Sequence, residues 1–279
     1  MATIVQGKNV AKIIVDELAQ QVKRLPFQPV FCDVLVGDDP VSLSYVRTKA
    51  KAAESIGLKF ELLTTPAEIS TPELVDKLKQ VQQNSSLAGL IIQLPLPAHL
   101  DKEKVLEAID ASVDVDCLNP QNNNMFYQGK SQFLPPTAAA IITVLVSLKL
   151  NLDKLKILVI GQGELVGRPV TFLLRELGYQ VITADESTGD LKKMTSDADV
   201  IISGTGQPKL ITGDMIKEGA VVIDCGTAES AGSIVGDVDL ESVKSKAKFV
   251  SPVPGGVGPV TVARLLYNVV LAAKEHKNE

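Results

Sequence analysis

The sequence predicts an α/β protein of two lobes with a cleft between them. Runs of Val, Ile and Leu bounded by Gly or Pro alternate twice along the chain with segments of helical periodicity, a pattern typical of parallel sheets covered by helices. Aromatic residues make up only 4% of the 279 residues, so aliphatic side chains supply the apolar mass of the core. Both observations fit buried parallel strands better than an antiparallel sandwich.

The first alternating series is predicted to form one lobe. Val10, Ile13, Ile14, Leu18 and Val22 recur at helical spacing. Ser70 stands three residues before Glu73, with Pro72 between them, which is the signature of a capped helix start. In order, the predicted elements are a helix over 10–22, a strand over 29–37, a helix over 42–57, a strand over 59–65, a helix over 70–84, a strand over 88–97 and a helix over 101–109.

A polar, Asn-rich segment over 114–136 interrupts the alternation and is predicted to be a long loop or crossover between domains. A second series follows it: a helix over 137–150, strands over 156–160, 179–184, 198–204 and 219–226 separated by helices, a Gly- and Pro-rich segment over 249–260, and a final helix over 260–276. We therefore assign residues 1–136, with the C-terminal helix of about 260–279 packing back on them, to the first domain. Residues 137–259 form the second.

Composition and charge exclude several functional classes. The net charge of −5 and the isoelectric point near 5.3 argue against a general nucleic-acid binder. The N-terminus matches no signal peptide, and no apolar run is expected to reach membrane-spanning length. Cys32, Cys117 and Cys225 are isolated, which disfavours a disulfide framework or a zinc site and favours a reducing cytoplasm.

Histidine is too rare to support the commonest forms of proton-transfer and metal chemistry. His99 and His276 are the only two, and the second lies in a charged C-terminal tail. A Ser-His-Asp triad or a His-rich metal centre is therefore not expected, and no metal site is predicted. Proton transfer must rest on Lys, Asp, Glu or Tyr.

The stretch "KILVIGQGELVGRPVTFLL" reads as strand, glycine loop and helix, the arrangement that holds a pyrophosphate in Rossmann-type dinucleotide-binding domains. Gly161 and Gly163 fit the Gly-x-Gly-x-x-Gly pattern, but Gly167 falls one position late. An ordinary strand-to-helix turn would give a similar sequence. The location of the loop inside a βαβ unit favours the nucleotide interpretation.

The strand after this loop ends at Asp185 and Glu186. A carboxylate at this position accepts hydrogen bonds from the ribose hydroxyls of NAD and repels the 2′-phosphate of NADP. A solvated pair of acids in a loop is the alternative. We predict NAD, with NADP the less favoured cofactor.

Four residues of the first lobe are candidates for binding and catalysis. Tyr45 and Lys49 lie four apart and so share one helix face, although a wet basic surface is the competing interpretation. Gln93 ends a strand at the edge where open α/β sheets bind ligands, or it caps a backbone group. Asp116, with Asp114 as the alternative, would accept hydrogen bonds from the donor edge of a heterocycle or would cap a turn.

Taken together, these segments resemble the bifunctional methylenetetrahydrofolate dehydrogenase/methenyltetrahydrofolate cyclohydrolase family. The likeness runs nearly from end to end. It is carried by "VGDDPVSLSYVRTKAKAAESIGL", "GLIIQLPLPAHL", "VDVDCLNP", "GQGELVGRPV", "GAVVIDCGT", "GDVD" and "SPVPGGVGPVTVARLLYN". The Tyr-x-x-x-Lys helix, the Gln-Leu-Pro-Leu-Pro strand end and the Pro-Gly-Gly-Val-Gly-Pro loop are jointly very specific.

The resemblance implies a folate-binding first domain and a reaction in two steps. NAD takes a hydride from 5,10-methylenetetrahydrofolate, and water then opens the methenyl product to 10-formyltetrahydrofolate. Lys49 matches the family's catalytic lysine, Gln93 the residue that positions it, Asp116 the acid that holds the pterin, and Tyr45 the ring beside the aminobenzoyl group. The implied substrate contacts are Tyr45, Lys49, Gln93, Leu94, Asp116, Pro254, Gly255 and Gly256. The implied cofactor contacts are Gly161, Gln162, Gly163, Asp185, Glu186 and Thr227.

The sequence also departs from the family pattern. Gly161-Gln162-Gly163 stands where many members read Gly-Arg-Ser, and Asp185-Glu186 stands where they often read His-Ser, which favours NAD. Cys117 and Asn124 occupy usual Gly positions, and the segment from Pro136 differs as well, so a weakened cyclohydrolase is one alternative. Use of NADP is another, and a non-catalytic folate- or nucleotide-binding regulator is a third. The family implies a homodimer and tetrahydrofolate derivatives as ligands, with no nucleic-acid or membrane partner.

Overall fold

The computed structural model describes residues 1–230 and 233–275, so His276 lies outside the described residues. The strands are β1 Thr3–Ile4, β2 Val30–Val36, β3 Lys59–Thr65, β4 Leu87–Ile92, β5 Ile157–Ile160, β6 Val181–Ala184, β7 Val200–Ser203, β8 Val221–Asp224, β9 Ala228–Ser230, β10 Ser233–Val235 and β11 Phe249–Ser251. The α-helices are α1 Gly7–Val22, α2 Pro40–Ser55, α3 Thr71–Val81, α4 Lys102–Glu107, α5 Pro120–Tyr127, α6 Pro136–Ser147, α7 Gly167–Glu176, α8 Leu191–Asp197, α9 Leu240–Val243 and α10 Val257–Glu275.

The chain divides into two compact units, each with its own parallel sheet. One unit comprises Met1–Lys12 and Pro136–Thr261, and the other comprises Ile13–Pro135 and Val262–Glu279. We call the first the nucleotide unit and the second the lysine unit, after the glycine loop and Lys49 that they carry. The predicted α/β class with two parallel-sheet domains is confirmed.

The lysine unit is built on a three-stranded parallel sheet in the order β3-β2-β4. Because side chains alternate along a strand, Phe31 and Cys32 point to opposite faces of β2. Phe31 packs with α1 and α10 in one apolar cluster, while Cys32 packs with Leu74 and Leu78 of α3 in another. Both faces of the sheet are therefore covered, which explains why β2 and β4 are buried along their whole length.

The C-terminal helix packs on the lysine unit, as predicted. The α10 residues in the core cluster with Phe31 are Leu265, Leu266, Val269, Val270, Ala272 and Ala273. Asn268 of the same helix donates to the carbonyls of Val115 and Leu134 at 2.8 and 2.9 Å, and these bonds fix its rotation. Among the described helices, α10 alone is long and apolar enough to cross a membrane by length and composition, and 56% of its apolar window is buried in the protein. The expectation that no apolar run reaches that length is therefore wrong.

The nucleotide unit is built on a six-stranded parallel sheet in the order β1-β11-β8-β7-β5-β6. The chain passes from β5 to β6 on one side and then crosses to β7 on the other side of β5. This reversal is the topological switch point of a doubly wound sheet, where the carboxyl ends of the strands open a crevice for a ligand. The glycine loop that follows β5 lies at this switch point.

Several elements differ from the sequence prediction. The interdomain loop contains a helix, α5, which Asn119 caps by accepting a 2.7 Å hydrogen bond from the Gln121 amide. A short antiparallel pair, β9 and β10, follows β8. The first twelve residues belong to the nucleotide unit and not to the first predicted domain, because β1 pairs with β11.

Local capping explains where two helices begin. Asp39 accepts a 2.7 Å hydrogen bond from the Ser42 amide, and Pro40 follows it at the first turn of α2. Ser70 and Glu73 form the predicted capping box at the start of α3. The first of these caps sets the start of the helix that carries the candidate residues Tyr45 and Lys49.

Candidate functional site

A buried lysine is the centre of the polar site in the lysine unit. Lys49 lies on the face of α2 that packs toward the sheet, and its side chain is only 10% exposed. Its Nζ lies 2.7 Å from Asp33 Oδ2 and donates a 2.8 Å hydrogen bond to Gln93 Oε1. The competing interpretation of this helix face as a wet basic surface is thus wrong for Lys49.

Two adjacent strands present these partners to Lys49. Asp33 is in the middle of β2, paired with Leu62 of β3 and Ile91 of β4, and its side chain is fully buried. Gln93 directly follows β4, and its Nε2 donates to the Leu94 carbonyl at 3.1 Å. That bond turns the amide oxygen toward Lys49, so the Gln93 amide both caps a backbone group and orients the lysine.

Hydrogen bonds distinguish the two acids of the following loop. Asp114 is buried and accepts bonds from the amides of Leu118 and Asn119 and from Asn122 Nδ2, at 3.1, 2.9 and 3.0 Å. Asp114 is therefore the structural cap of the loop. Asp116 remains for a ligand, with a partly buried side chain.

The electrostatic surroundings of Asp116 connect it to the lysine. Its pKa is raised to about 6, chiefly by burial; the charge of Lys49 opposes the rise, and the charges of Asp114 and Asp33 add to it. Lys49 and Asp116 are thus brought into one polar site. Cys117 follows with a left-handed backbone, at φ 59°, and a buried side chain in the core cluster of Phe31. Glycine is favoured in that conformation, as the resemblance to a Gly position implies.

Tyr45 and Leu94 flank the site. Tyr45 precedes Lys49 by one turn of α2, and the residue is 39% exposed although partial burial raises the pKa of its hydroxyl. Leu94 packs at the edge of the apolar cluster on the α3 side of the sheet. An exposed aromatic ring beside a buried ammonium gives a surface on which a flat, aromatic substrate can stack.

In the nucleotide unit, the glycines of the phosphate loop have distinct roles. A Cβ at Gly167 would lie 1.7 Å from the Gly161 carbonyl oxygen, so only glycine lets α7 start this close to the loop. A Cβ at Gly163 would meet no atom of the described chain within 4 Å. Gly163 therefore faces open space at the switch point, as the close approach of a pyrophosphate requires. The third glycine of the fingerprint is Gly167, in a loop one residue longer than usual.

The remaining loop residues are held by polar contacts. Gln162 donates through Nε2 to the Gly161 carbonyl at 3.0 Å, and Arg168 donates through Nε to the Gln162 carbonyl at 2.8 Å. The guanidinium of Arg168 is otherwise exposed. The loop thus has a fixed backbone, with one cation at its rim.

The acid pair lies next to this loop. The Gly161 amide donates to the Ala184 carbonyl at 2.8 Å, which brings the start of the glycine loop beside Asp185. Asp185 and Glu186 are both exposed. Asp185 Oδ1 accepts bonds from the Ser187 hydroxyl and amide at 2.6 and 2.9 Å, and these bonds lower the pKa of Asp185. Asp185 therefore combines a turn cap with a carboxylate that stays anionic.

Two buried carboxylates fix the other loops at this edge of the sheet. Asp237 accepts bonds from the Ser203 hydroxyl and the Thr205 amide, both at 2.7 Å. Asp224 accepts bonds from the amides of Gly226, Asp237 and Val238, and burial raises its pKa to about 6. The loops after β7 and β8 are thereby tied together, and the predicted cofactor residue Thr227 is exposed at their rim.

The Pro254–Gly256 loop, implied to contact substrate, is anchored inside the nucleotide unit. The Gly7 amide donates to the Gly255 carbonyl at 2.9 Å, and a Cβ at Gly7 would lie 1.7 Å from the Gly256 carbonyl oxygen. Gly255 has φ 103°, in the left-handed region. The start of α1 thus packs against the Pro254–Gly256 loop and fixes its backbone.

Sequence reasoning missed three of these acids: Asp33, Asp224 and Asp237. Each had a signal, since Asp33 and Asp224 interrupt or end an apolar strand and Asp237 lies in the "GDVD" segment. A charged residue inside a buried strand needs a partner, and that requirement could have drawn attention to Asp33. Within residues 1–230 and 233–275, no group of three or more His, Cys, Asp or Glu side chains could hold a metal ion.

Comparison with known families covers both units. The tetrahydrofolate dehydrogenase/cyclohydrolase catalytic domain matches residues 5–116, and the NAD(P)-binding domain of the same family matches residues 135–277. The Bifunctional protein FolD of Bacillus licheniformis is 41% identical over 277 residues, which covers 98% of each chain.

Solved structures match over the same extent. The bifunctional methylenetetrahydrofolate dehydrogenase/cyclohydrolase FolD of Campylobacter jejuni superposes with a TM-score of 0.93 at 37% identity, covering 99% of each chain. The FolD enzyme of Trypanosoma brucei, solved with NADP and an inhibitor, gives a TM-score of 0.94 at 32% identity, covering 100% of this chain and 99% of that one.

Proposed function

This chain belongs to the tetrahydrofolate dehydrogenase/cyclohydrolase family, and from that premise we propose an NAD-linked enzyme with both activities. Its substrate is 5,10-methylenetetrahydrofolate, which it oxidises to the methenyl compound and then hydrolyses to 10-formyltetrahydrofolate. Relatives at about 40% identity over the full chain support the two activities. The choice of NAD and the residue roles are our proposal, argued from this chain's own geometry.

The observation that carries the proposal is the pair of contacts made by Lys49. Gln93 accepts one N–H of its ammonium and Asp33 is its ion-pair partner at 2.7 Å, which leaves an N–H donor for a substrate or a water molecule. A lysine held in this way has a fixed position, so a proton can be passed at a defined atom.

The hydrolytic step uses this lysine as its proton carrier. Water adds to the methenyl carbon between N5 and N10, and Lys49 Nζ, acting as a neutral amine, takes the proton that the water loses and becomes an ammonium. Lys49 then returns a proton to N5 as the bond from that carbon to N5 breaks and the formyl C=O forms, while the hydroxyl proton leaves. Gln93 holds Nζ in line for both transfers, and Asp116 accepts hydrogen bonds from the pterin.

The nucleotide unit supplies the partner for the oxidative step. NAD, when bound there, accepts the hydride of the methylene carbon. The open space at Gly163 and the amide groups at the start of α7 fit a pyrophosphate, and Gln162, Thr227 and the Pro254–Gly256 loop border the same sheet edge. The protein's contribution is to bind, orient and exclude water.

The preference for NAD rests on the carboxylate of Asp185. Its pKa is lowered, so it is fully anionic at neutral pH and repels a 2′-phosphate at the end of β6. Arg168 is the observation that favours NADP, because its exposed guanidinium lies at the start of α7 and contacts the glycine loop. Its Nε is already used by the Gln162 carbonyl, and two acids outweigh one cation, so NAD is the better fit.

The direct test is turnover of 5,10-methylenetetrahydrofolate with NAD+ and NADP+ in parallel, with reduced cofactor and methenyl absorbance followed together. We expect kcat/KM to favour NAD+ by about a hundredfold or more, the size of about 3 kcal/mol. A preference for NADP+ contradicts the Asp185 argument. No turnover with either cofactor would instead support a folate- or nucleotide-binding regulator.

The same assay decides the second candidate, a dehydrogenase with a weakened cyclohydrolase. The left-handed backbone of Cys117, directly after Asp116, is the observation in its favour. Accumulation of the methenyl compound during turnover would establish it. The intact Lys49–Gln93 contact favours prompt hydrolysis and no accumulation.

We propose further that the protein is a homodimer in a reducing cytoplasm. Strand β6 is an edge of the six-stranded sheet, and Ile182 on it is 51% exposed, which suits association through the nucleotide unit. The three free cysteines are consistent with the reducing compartment. Light scattering should give twice the chain mass for the wild type and a single chain mass for Ile182→Lys.

A further inference from the structure

Asp33 is a fully buried carboxyl group to which the mechanism above assigns only an electrostatic contact. It lies inside β2, with β3 and β4 hydrogen-bonded on either side and an apolar cluster on its face of the sheet. An isolated carboxylate in such surroundings is strongly disfavoured. Its presence in the strand needs a physical reason.

The two oxygens of Asp33 have unequal surroundings. Oδ2 forms an ion pair with Lys49 Nζ at 2.7 Å, while Oδ1 has no such neighbour, and neither oxygen accepts a well-aligned hydrogen bond from the described residues. A carboxylate has room for about four hydrogen bonds, and a carboxylic acid needs fewer. Burial correspondingly raises the pKa of Asp33, while Lys49 opposes the rise. The site thus tolerates a proton on Asp33 better than an ordinary surface would.

The groups around the pair leave Lys49 as the proton-exchanging neighbour of Asp33. From β3 and β4, the paired residues are Leu62 and Ile91, which are apolar. From α1 and α10, the side chains in the cluster on this face are apolar as well. Of the titratable groups, Asp116 on the loop after α4 interacts electrostatically with both Lys49 and Asp33, and Asp114 interacts with Asp116. Cys32, on the opposite face of β2, interacts with Asp33, and Tyr45 lies one turn before Lys49 on α2.

We infer that Asp33 is the proton-holding partner of Lys49 in the hydrolytic step. In the resting pair, one proton is shared between Asp33 Oδ2 and Lys49 Nζ. When that proton is on Oδ2, Nζ has a lone pair that accepts the proton of the attacking water, and the C–O bond forms. The pair then holds two protons and returns one to N5 as the C–N5 bond breaks, which restores the resting pair. The hydroxyl proton of the adduct is the one released.

This inference rests on the proposed function, because it assigns Asp33 a role through Lys49. Asp33 is a positioning and proton-holding residue and does not itself touch the substrate. Its effect should therefore be confined to hydrolysis, since the hydride step moves no proton through Lys49. A purely structural ion pair would instead lower both activities together, or would change only the stability.

The test compares Asp33→Asn with wild type in both half-reactions. Asparagine keeps the size of the side chain but cannot hold the proton. We expect kcat for hydrolysis of the methenyl compound to fall by at least about a hundredfold near neutral pH, with dehydrogenase kcat and the KM for folate little changed. The rise of the hydrolysis rate with pH should also move to higher pH, because Lys49 must then lose its proton to solvent.

Controls separate the possible failures. Cys32→Ala alters the neighbouring buried residue on the opposite face of β2 and should leave the pH profile of hydrolysis unchanged. If Asp33→Asn does not fold, Asp33→Ser gives the same two readouts with a smaller neutral side chain. A wild-type rate and profile in the Asp33 variant overturns the inference, and so does a uniform loss of rate at every pH.

Lys49→Met distinguishes this inference from the proposed function itself. If Lys49→Met hydrolyses the methenyl compound at the wild-type rate, the proposed role of the lysine fails and the role of Asp33 fails with it. If Lys49→Met abolishes hydrolysis while Asp33→Asn leaves it intact, only the inference about Asp33 fails.

Discussion

The amide of Gln93 faces Lys49 with its oxygen, at 2.8 Å from Nζ, because the amide nitrogen is held by the Leu94 carbonyl. One side chain at the end of β4 thus fixes the position of a lysine that lies on α2. The lysine unit supplies this geometry entirely from its own residues. The effect of the Gln93–Lys49 contact can therefore be tested in the hydrolytic reaction without changing the nucleotide unit.

Replacing Gln93 by Met should impair hydrolysis more than oxidation. The variant keeps the side-chain length but removes the acceptor that orients Lys49 Nζ. We expect the decay rate of methenyl absorbance under saturating substrate to fall by about a hundredfold, within the usual contribution of a positioned proton carrier. Gln80→Met, an exposed change on α3, is the matched control. An unchanged rate in Gln93→Met would rule out the orienting role.

Folate binding should weaken in acid because of Asp116. Its pKa in the folded protein is raised to about 6, so the carboxylate is anionic above that pH and protonated below it. The KM for methylenetetrahydrofolate should rise as the pH falls below about 6, by at most about tenfold per pH unit. Asp116→Asn should show a high KM at every pH, whereas Asp110→Asn should keep the wild-type profile. A flat wild-type profile would contradict the assignment.

The two glycines of the phosphate loop should respond differently to alanine. At Gly167 the added Cβ meets the Gly161 carbonyl at 1.7 Å, so overpacking should lower the stability of the protein by about 1–3 kcal/mol or more. At Gly163 the Cβ meets nothing, so the melting temperature should not change, while the KM for NAD+ should rise about tenfold or more through a clash with the pyrophosphate. Equal effects of the two variants on melting would refute this division of roles.

Removing the acid at the end of β6 should relax the choice of cofactor. In Asp185→Ser the repulsion of a 2′-phosphate is reduced and one acceptor for the ribose hydroxyls is lost. We expect the NAD+ to NADP+ ratio of kcat/KM to fall by about tenfold or more. Glu176→Gln removes an exposed acid of the same unit at the end of α7 and should leave the ratio unchanged. An unaltered ratio in Asp185→Ser would contradict the role of Asp185 and leave Arg168 as the residue to test next.

Much of the fold follows from local sequence patterns. Strand β5 is a four-residue apolar run followed by a glycine, which predicts a buried strand. Ser70 and Glu73 form a capping box, which predicts the start of α3. Strand β1 was not, because a two-residue strand becomes visible only through its pairing with β11, about 245 residues later. The helix α5 inside the polar loop was missed because its Asn-rich sequence has a weak periodicity.

The candidate site was predictable in its members but not in its contacts. The spacing of Tyr45 and Lys49 indicates a shared helix face, yet it does not distinguish a wet face from a buried one. The choice between Asp114 and Asp116 is decided by which acid the loop amides occupy, and that requires coordinates. Asp33 was missed because it lies inside an apolar run. A hydrophobicity pattern registers a single acid there only as an interruption of the strand and does not identify its partner.

The chain cannot complete its folding early in synthesis, because β1 pairs with β11 and α10 packs into the core of the lysine unit. The sheet of the nucleotide unit has its first strand at residues 3–4 and that strand's neighbour at residues 249–251. The core of the lysine unit includes side chains of α10, such as Leu266 and Val269. Neither unit can finish folding on the ribosome until nearly the whole chain has emerged, so a nascent chain stalled before α10 should remain sensitive to proteases in both units.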